Sequence, residues 1–108
     1  MTKDELLTAL RALELKLHSV EVQEHFVAQD ASTRERFVAE RIELSRMVGL
    51  LTHAQLATIH DQLSRLDRDL QDGIEDLEET LDQLGDTVAF FDATGKILGL
   101  VGRVLALV

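Results

Sequence analysis

Apolar residues in the middle of the chain repeat with the spacing of a coiled-coil helix. From Leu56 to Phe91 the steps between them alternate between three and four residues, except for one additional step of four beside Gly73. This heptad pattern predicts a long helix that packs against other helices over residues 53–91, with a stutter near Gly73. The apolar positions are Leu56, Ile59, Leu63, Leu66, Leu70, Ile74, Leu77, Leu81, Leu84, Val88 and Phe91.

Gly73 lies in the interior of this predicted helix. Glycine in an exposed helix interior is about 0.8–1 kcal/mol less favourable than alanine. We therefore predict that Gly73→Ala raises the melting temperature. The pattern also leaves open that the helix breaks near Gly73 or near Gly85.

Two shorter helices are predicted before the long one, over residues 3–29 and 33–49. Each of the three helix starts has the spacing of a capping box, formed by Thr2 with Glu5, Ser32 with Glu35 and Thr52 with Gln55. The inward residues of the first helix are predicted to be Leu6, Leu10, Leu13, Leu17, Val20 and Val27. Those of the second are Phe37, Val38, Ile42, Leu44, Met47 and Val48. The short connection between them indicates an antiparallel pair.

A fourth helix is predicted over residues 94–107, after a break at Asp92–Gly95. It is strongly apolar, but Asp92, Lys96 and Arg103 interrupt it, and such charges are costly at the centre of a bilayer, so we do not predict a membrane span. The pair Gly95 and Gly99 has the spacing that permits close helix approach. Because the other helices are committed elsewhere, we expect a second copy or lipid to cover this tail. A truncation to residues 1–91 should then keep its helices.

These patterns predict an all-α protein: one domain over residues 1–108, built as an antiparallel helical bundle or coiled coil. The same reasoning assigns the apolar tail and the end of the long helix to an oligomer or partner interface. Its predicted residues are Ile97, Leu98, Val101, Val104, Leu105, Val108, Leu77, Leu81, Leu84, Val88 and Phe91.

Composition narrows the classes of function. The 108 residues include no cysteine and no proline, so a disulfide framework and thiolate metal sites are excluded. The net charge is −9, whereas nucleic-acid binding calls for a basic face. A charged N-terminus without an apolar core indicates no secretory signal. We expect a cytoplasmic protein, with membrane association through residues 94–108 as an alternative.

Acidic residues are concentrated in the second half of the long helix. Residues 67–86 contain nine of the chain's 20 acidic residues and a single basic one, Arg68. The spacing lacks that of a calcium-binding loop. Two interpretations remain: the solvated flank of a coiled coil, or an electrostatic surface for a basic partner.

No arrangement of residues in the sequence predicts catalysis. The histidines form two pairs seven residues apart, and His18, Glu21 and His25 share one helical face, but the E-x-x-H motif of di-iron bundles is missing. No nucleophile elbow or phosphate-binding loop is present. We therefore expect no metal, no cofactor and no enzymatic activity.

The sequence leaves three functions open. The first is a self-associating adaptor or assembly protein, a dimer or tetramer that can also bind another protein. The second is a membrane-peripheral protein anchored by residues 94–108. The third is a small acidic chaperone or anti-activator that covers a partner's apolar helix.

Overall fold

The computed structural model describes residues 1–106 and contains five α-helices and no strand in that range. The helices pack antiparallel into a bundle of 43 × 21 × 19 Å, which confirms the predicted all-α class and bundle architecture. They are α1 (Lys3–Leu17), α2 (Val20–Val27), α3 (Ala31–His53), α4 (Leu56–Asp82) and α5 (Thr87–Val104).

The predicted first helix is in fact two helices. α1 begins with the predicted capping box of Thr2 and Glu5, but it ends at Leu17, and the Ser19 side chain then accepts a hydrogen bond from the backbone of Val22 and caps α2. The break changes the face that is buried, because α2 packs Val22 and Phe26 inward. Val20 and Val27, predicted to be buried, are exposed.

α3 is longer than predicted at both ends. Asp30 caps it by accepting a hydrogen bond of 2.7 Å from the Thr33 backbone, so the predicted box at Ser32 is wrong. The box at Thr52 is also wrong, because Thr52 lies inside the last turn and donates its hydroxyl to the Val48 carbonyl. The prediction of inward positions is wrong for Val38 and Ile42, which are exposed.

α4 carries the apolar seam that the heptad pattern predicts. Ile59, Leu63, Leu66, Leu70, Ile74, Leu77 and Leu81 are all buried. At 1.5 Å per residue its 27 residues span about 40 Å, close to the long dimension of the bundle. The helix stops at Asp82, so the prediction of one helix to Phe91 is wrong, and the break lies near Gly85.

α5 runs without interruption through the break predicted at Asp92–Gly95. Asp86 caps it by accepting a hydrogen bond of 2.9 Å from the Ala89 backbone, so the helix begins at Thr87 and not at residue 94. Its apolar face lies in the core of the same chain, with Ile97, Val101 and Val104 fully buried. The predicted end at residue 107 lies outside the described residues.

The stutter in α4 coincides with the closest approach of α5. Gly73 is buried, and a Cβ atom placed on it would lie 2.8 Å from Cδ1 of Ile97. The extra step of four residues therefore brings a residue without a side chain under Ile97. The pair Gly95 and Gly99 makes no such approach, because a Cβ atom on either would meet nothing within 4 Å among the described residues.

Candidate interaction surface

The structure places most of the predicted interface residues inside the protomer. Ile97, Val101, Val104, Leu77, Leu81 and Phe91 are buried in its own core. Leu84, Leu98 and Leu105 are partly buried against that core, and Val88 is exposed. Val108 lies outside the described residues. The expectation that this chain lacks surface to cover its tail is therefore wrong, and burial removes the reason for assigning the six core residues to an interface.

Two other kinds of site, a membrane-spanning helix and a metal-binding cluster, are not found among residues 1–106. None of the five helices combines the length and the hydrophobicity that crossing a bilayer requires. Within the same range, no group of three or more acidic or histidine side chains is arranged to hold a metal ion. His18 follows the end of α1, while Glu21 and His25 lie on α2, so the break at Ser19 separates the residues that one continuous helix would align.

An apolar groove runs between α2 and α3, and we refer to it as the α2–α3 groove. Its floor is a pair of stacked rings, Phe26 and Phe37, whose centroids are 4.2 Å apart and whose planes differ by 5°. Val27 and Val38 form its upper walls, and its volume is about 110 Å³. Both rings are almost fully buried, so the floor of this groove is apolar and packed against the core.

Exposed aliphatic side chains surround the groove. Val20 and Val27 on α2 are each 68% exposed, and on α3 Val38 is 41% and Ile42 is 61% exposed. Val20 and Val27 line one shared depression, and Val27 and Val38 line the groove itself. Ile42 follows Val38 by one helical turn on the same face. Half of the eight large hydrophobic residues that are exposed in the described chain therefore lie on this one surface.

The groove is lined by basic side chains, and an acidic side chain lies in the depression beside it. Arg34 and Arg41 line the groove on the α3 side, whereas Glu24 is exposed on the α2 side next to Val20 and Val27. Arg34 also donates hydrogen bonds to the carbonyls of Val27 and Gln29 and so closes the end of α2. The guanidinium carbon of Arg41 lies 5.2 Å from the centroid of the Phe37 ring, which holds this side chain along the groove wall.

The outer face of α4 differs sharply from the groove. Its acidic residues lie outside the buried seam, and among the described residues only two ion pairs involve them: Lys96 with Asp76 at 3.7 Å, and the N-terminal ammonium with Asp67. The hydrogen bond from the N-terminal ammonium lowers the pKa of Asp67. Seven of the nine acidic residues of α4 thus have no ion pair among the described residues, and they are located away from α2 and α3.

Glu40 is the one partly buried acid of α3 whose pKa is raised. Burial raises it from an ordinary value of 4.5, and the neighbouring Arg36 guanidinium, 3.4 Å from Oε1, offsets only part of the effect. Its Oε2 atom is buried and has no hydrogen-bond partner in the part of the chain that is described. The ionised form of Glu40 is therefore less stable in the folded chain than in water.

We predict that Glu40→Gln raises the melting temperature at pH 7. At a pH above the raised folded pKa, Glu40 is ionised in both states, and the cost of burying its charge is present. As the pH falls through the raised folded pKa, the folded state takes up the proton first and gains stability, until the pH reaches about 4.5. The advantage of the glutamine variant in thermal melts should consequently be smaller at pH 4.5 than at pH 7.

Glu43→Gln is the matched control one turn further along α3. Hydrogen bonds from Arg46, at 2.5 and 3.0 Å, lower the pKa of Glu43, so its ionised form is favoured in the folded state. Neutralising it should lower the melting temperature slightly at pH 7. If both variants shift the melting temperature in the same direction, burial of the Glu40 charge is not the cause.

Comparisons of the chain with protein-family models, with curated proteins and with solved structures found no match. The candidate surface therefore rests on the geometry of this chain alone.

The groove escaped the sequence prediction because four of its aliphatic residues were assigned to the core. The heptad of α1 continues in the sequence through Val20 and Val27, but Glu24 falls on it as well, and Ser19 interrupts it. A serine three residues before Val22, followed by Phe26 four residues later, is the signal for a second helix with a new buried face.

Proposed function

We propose that this protein is a non-enzymatic interaction module whose docking surface is the α2–α3 groove. The observation that carries the proposal is the exposure of Val20, Val27, Val38 and Ile42 around a buried aromatic floor. A chain that buries its α5 residues so completely has no need to leave these four side chains in water for folding. Contiguous exposed apolar surface with a polar rim is typical of protein interaction sites.

The groove, at about 110 Å³, has room for single side chains, which a partner helix lying across its rim could insert. The walls are two helices, and the apolar residues at their edges follow helical spacings of four and seven. A partner helix docks on such a surface with residues from successive turns. The membrane-peripheral alternative is weakened, because Ile97, Leu100, Val101 and Val104 of the segment expected to enter the lipid headgroup region lie in the core.

Site-specific photo-cross-linking tests this proposal. A photoreactive phenylalanine analogue is placed at Val27 in the groove and, as the control, at Arg68, which is exposed on α4. We expect defined covalent adducts from position 27 and none from position 68 when cells producing the protein are irradiated. A second substitution, Val38→Glu, should abolish the adducts because it places a charge in the groove.

Two results would count against the proposal. Position 27 could give no adduct, or positions 27 and 68 could give the same adducts, which would indicate collisions without specific docking. Far-UV circular dichroism of each variant establishes that the bundle is intact. The substituted side chains are exposed, so the fold should be unaffected.

A further inference from the structure

We infer that the occupant of the α2–α3 groove is a second copy of this chain, related to the first by a two-fold axis. This inference rests on the proposed function and specifies the partner. In such an isologous interface the same patch is used twice, so the patch must be complementary to itself. The surface around the α2–α3 groove meets this condition in charge, since it carries both acidic and basic side chains.

Charge determines where two copies can meet. Each copy carries a net charge of −9, so most of their surfaces repel one another. The repulsion is strongest at α4, where residues 67–86 hold nine acids and one arginine. The surface of α2 and α3 carries both signs, with Arg34 and Arg41 close to Glu24. A dimer formed there keeps the acidic helices of the two copies apart.

The charges around the groove also fix the orientation of the second copy. Glu24 lies on α2 in the depression beside the groove, and Arg41 lines the groove on α3. When α2 of one copy lies over α3 of the other, each Glu24 faces an Arg41, and the two-fold axis produces this pair twice. The four exposed aliphatic residues are then buried between the pairs. Every apolar side chain of the patch thus finds a partner without bringing like charges together.

Charge reversal across the groove is the decisive test. Glu24→Arg and Arg41→Glu each create two like-charge contacts in the dimer, and each should weaken dimerisation by about tenfold. The double variant exchanges the two charges in both copies and should restore the affinity to within a few fold of the original chain. Sedimentation over a range of concentrations measures the dimerisation affinity of the original chain, the two single variants and the double variant. Circular dichroism and thermal melts establish that each bundle is folded.

Apolar substitutions provide a second, independent measurement. Ile42→Glu, in the patch, should give a monomer, whereas Leu56→Glu, equally exposed but at the start of α4, should leave the dimer unchanged. A chain that sediments as a monomer at all concentrations would overturn the inference. So would a double charge reversal that binds no better than the single ones, or equal effects of the two apolar substitutions.

The cross-linking experiment separates this inference from the proposed function. In the purified protein, position 27 should give an adduct of twice the mass of the chain. Adducts from position 27 that contain only a different protein would overturn the two-fold dimer and leave the docking groove in place. The absence of every adduct would overturn both.

Discussion

Removing residues 92–108 should unfold the protein. The deletion takes away Ile97, Leu100, Val101 and Val104, all buried. At about 1.5–3 kcal/mol for each large apolar side chain, their burial is worth on the order of 6–12 kcal/mol. This is comparable with the whole stability of a small domain, about 5–15 kcal/mol. Far-UV circular dichroism of the 1–91 chain should show loss of helix and of a cooperative melt.

The opposite outcome, a helical and soluble 1–91 chain, is what an interface role for the tail predicts. It would mean that α5 is an accessory to a bundle of the first four helices. The structure argues against this. α4 and α5 pack together extensively, and Leu77 and Leu81 of α4 are buried in the bundle. Without α5, this part of the α4 seam would be exposed to water.

A pair of point substitutions tests the same conclusion without shortening the chain. Val101 is fully buried on α5, whereas Arg103 is exposed two residues later. Val101→Asp places an unpaired charge in the core and should abolish folding. Arg103→Asp should change the melting temperature by little, since exposed ion pairs and single surface charges contribute tenths of a kcal/mol. Equal effects of the two would contradict the burial of α5 in the protomer core.

The fold class was predictable because the helical periodicity of this chain is strong and long. The α4 seam from Ile59 to Leu81 is buried as the heptad pattern predicts. Helix boundaries were harder, because a capping-box spacing is only four residues long and arises at several places. Thr52 has the right spacing to Gln55, but α3 continues past it, since Leu51 still has core to contact.

The location of the apolar tail could not be predicted from composition. The sequence shows that Ile97, Val101 and Val104 must be covered, but not by which surface. The surface is determined by the break between Asp82 and Thr87, because this break allows α5 to pack back along α4. A single helix to Phe91 would have carried the tail away from the other helices, and the expected oligomer core followed from that error.

The α2–α3 groove could not be predicted either, because the sequence does not show which face of α3 is buried. Val38 and Ile42 have the spacing of a buried stripe, and so do Phe37 and Leu44 beside them. α3 has apolar residues on more than one face, and periodicity alone does not say which face the bundle covers. Only the packed structure distinguishes the core face from the one that is left free.

Gly73→Ala should gain less stability than the same change at an exposed glycine, because the new Cβ atom meets the side chain of Ile97. The added Cβ would lie 2.8 Å from Cδ1 of Ile97 and 3.6 Å from a methyl group of Leu100. Overpacking of a core costs about 1–3 kcal/mol, against a gain of roughly 1 kcal/mol in helix propensity. Because Cδ1 is the flexible end of the Ile97 side chain, the lower end of that cost applies, and we expect a melting temperature close to that of the original chain.

Gly99→Ala is the matched control, because a Cβ atom there meets nothing within 4 Å among the described residues. Its full gain in helix propensity should appear as a higher melting temperature. Ile97→Val then identifies the cause, since it deletes the methyl group that the new Cβ would strike. Alone it should cost about 0.5–1.5 kcal/mol, but in the Gly73→Ala background it should cost less. Additive effects in this cycle, or a Gly73→Ala chain as stable as Gly99→Ala, would show that Ile97 moves aside freely and that the stutter is not a packing contact between α4 and α5.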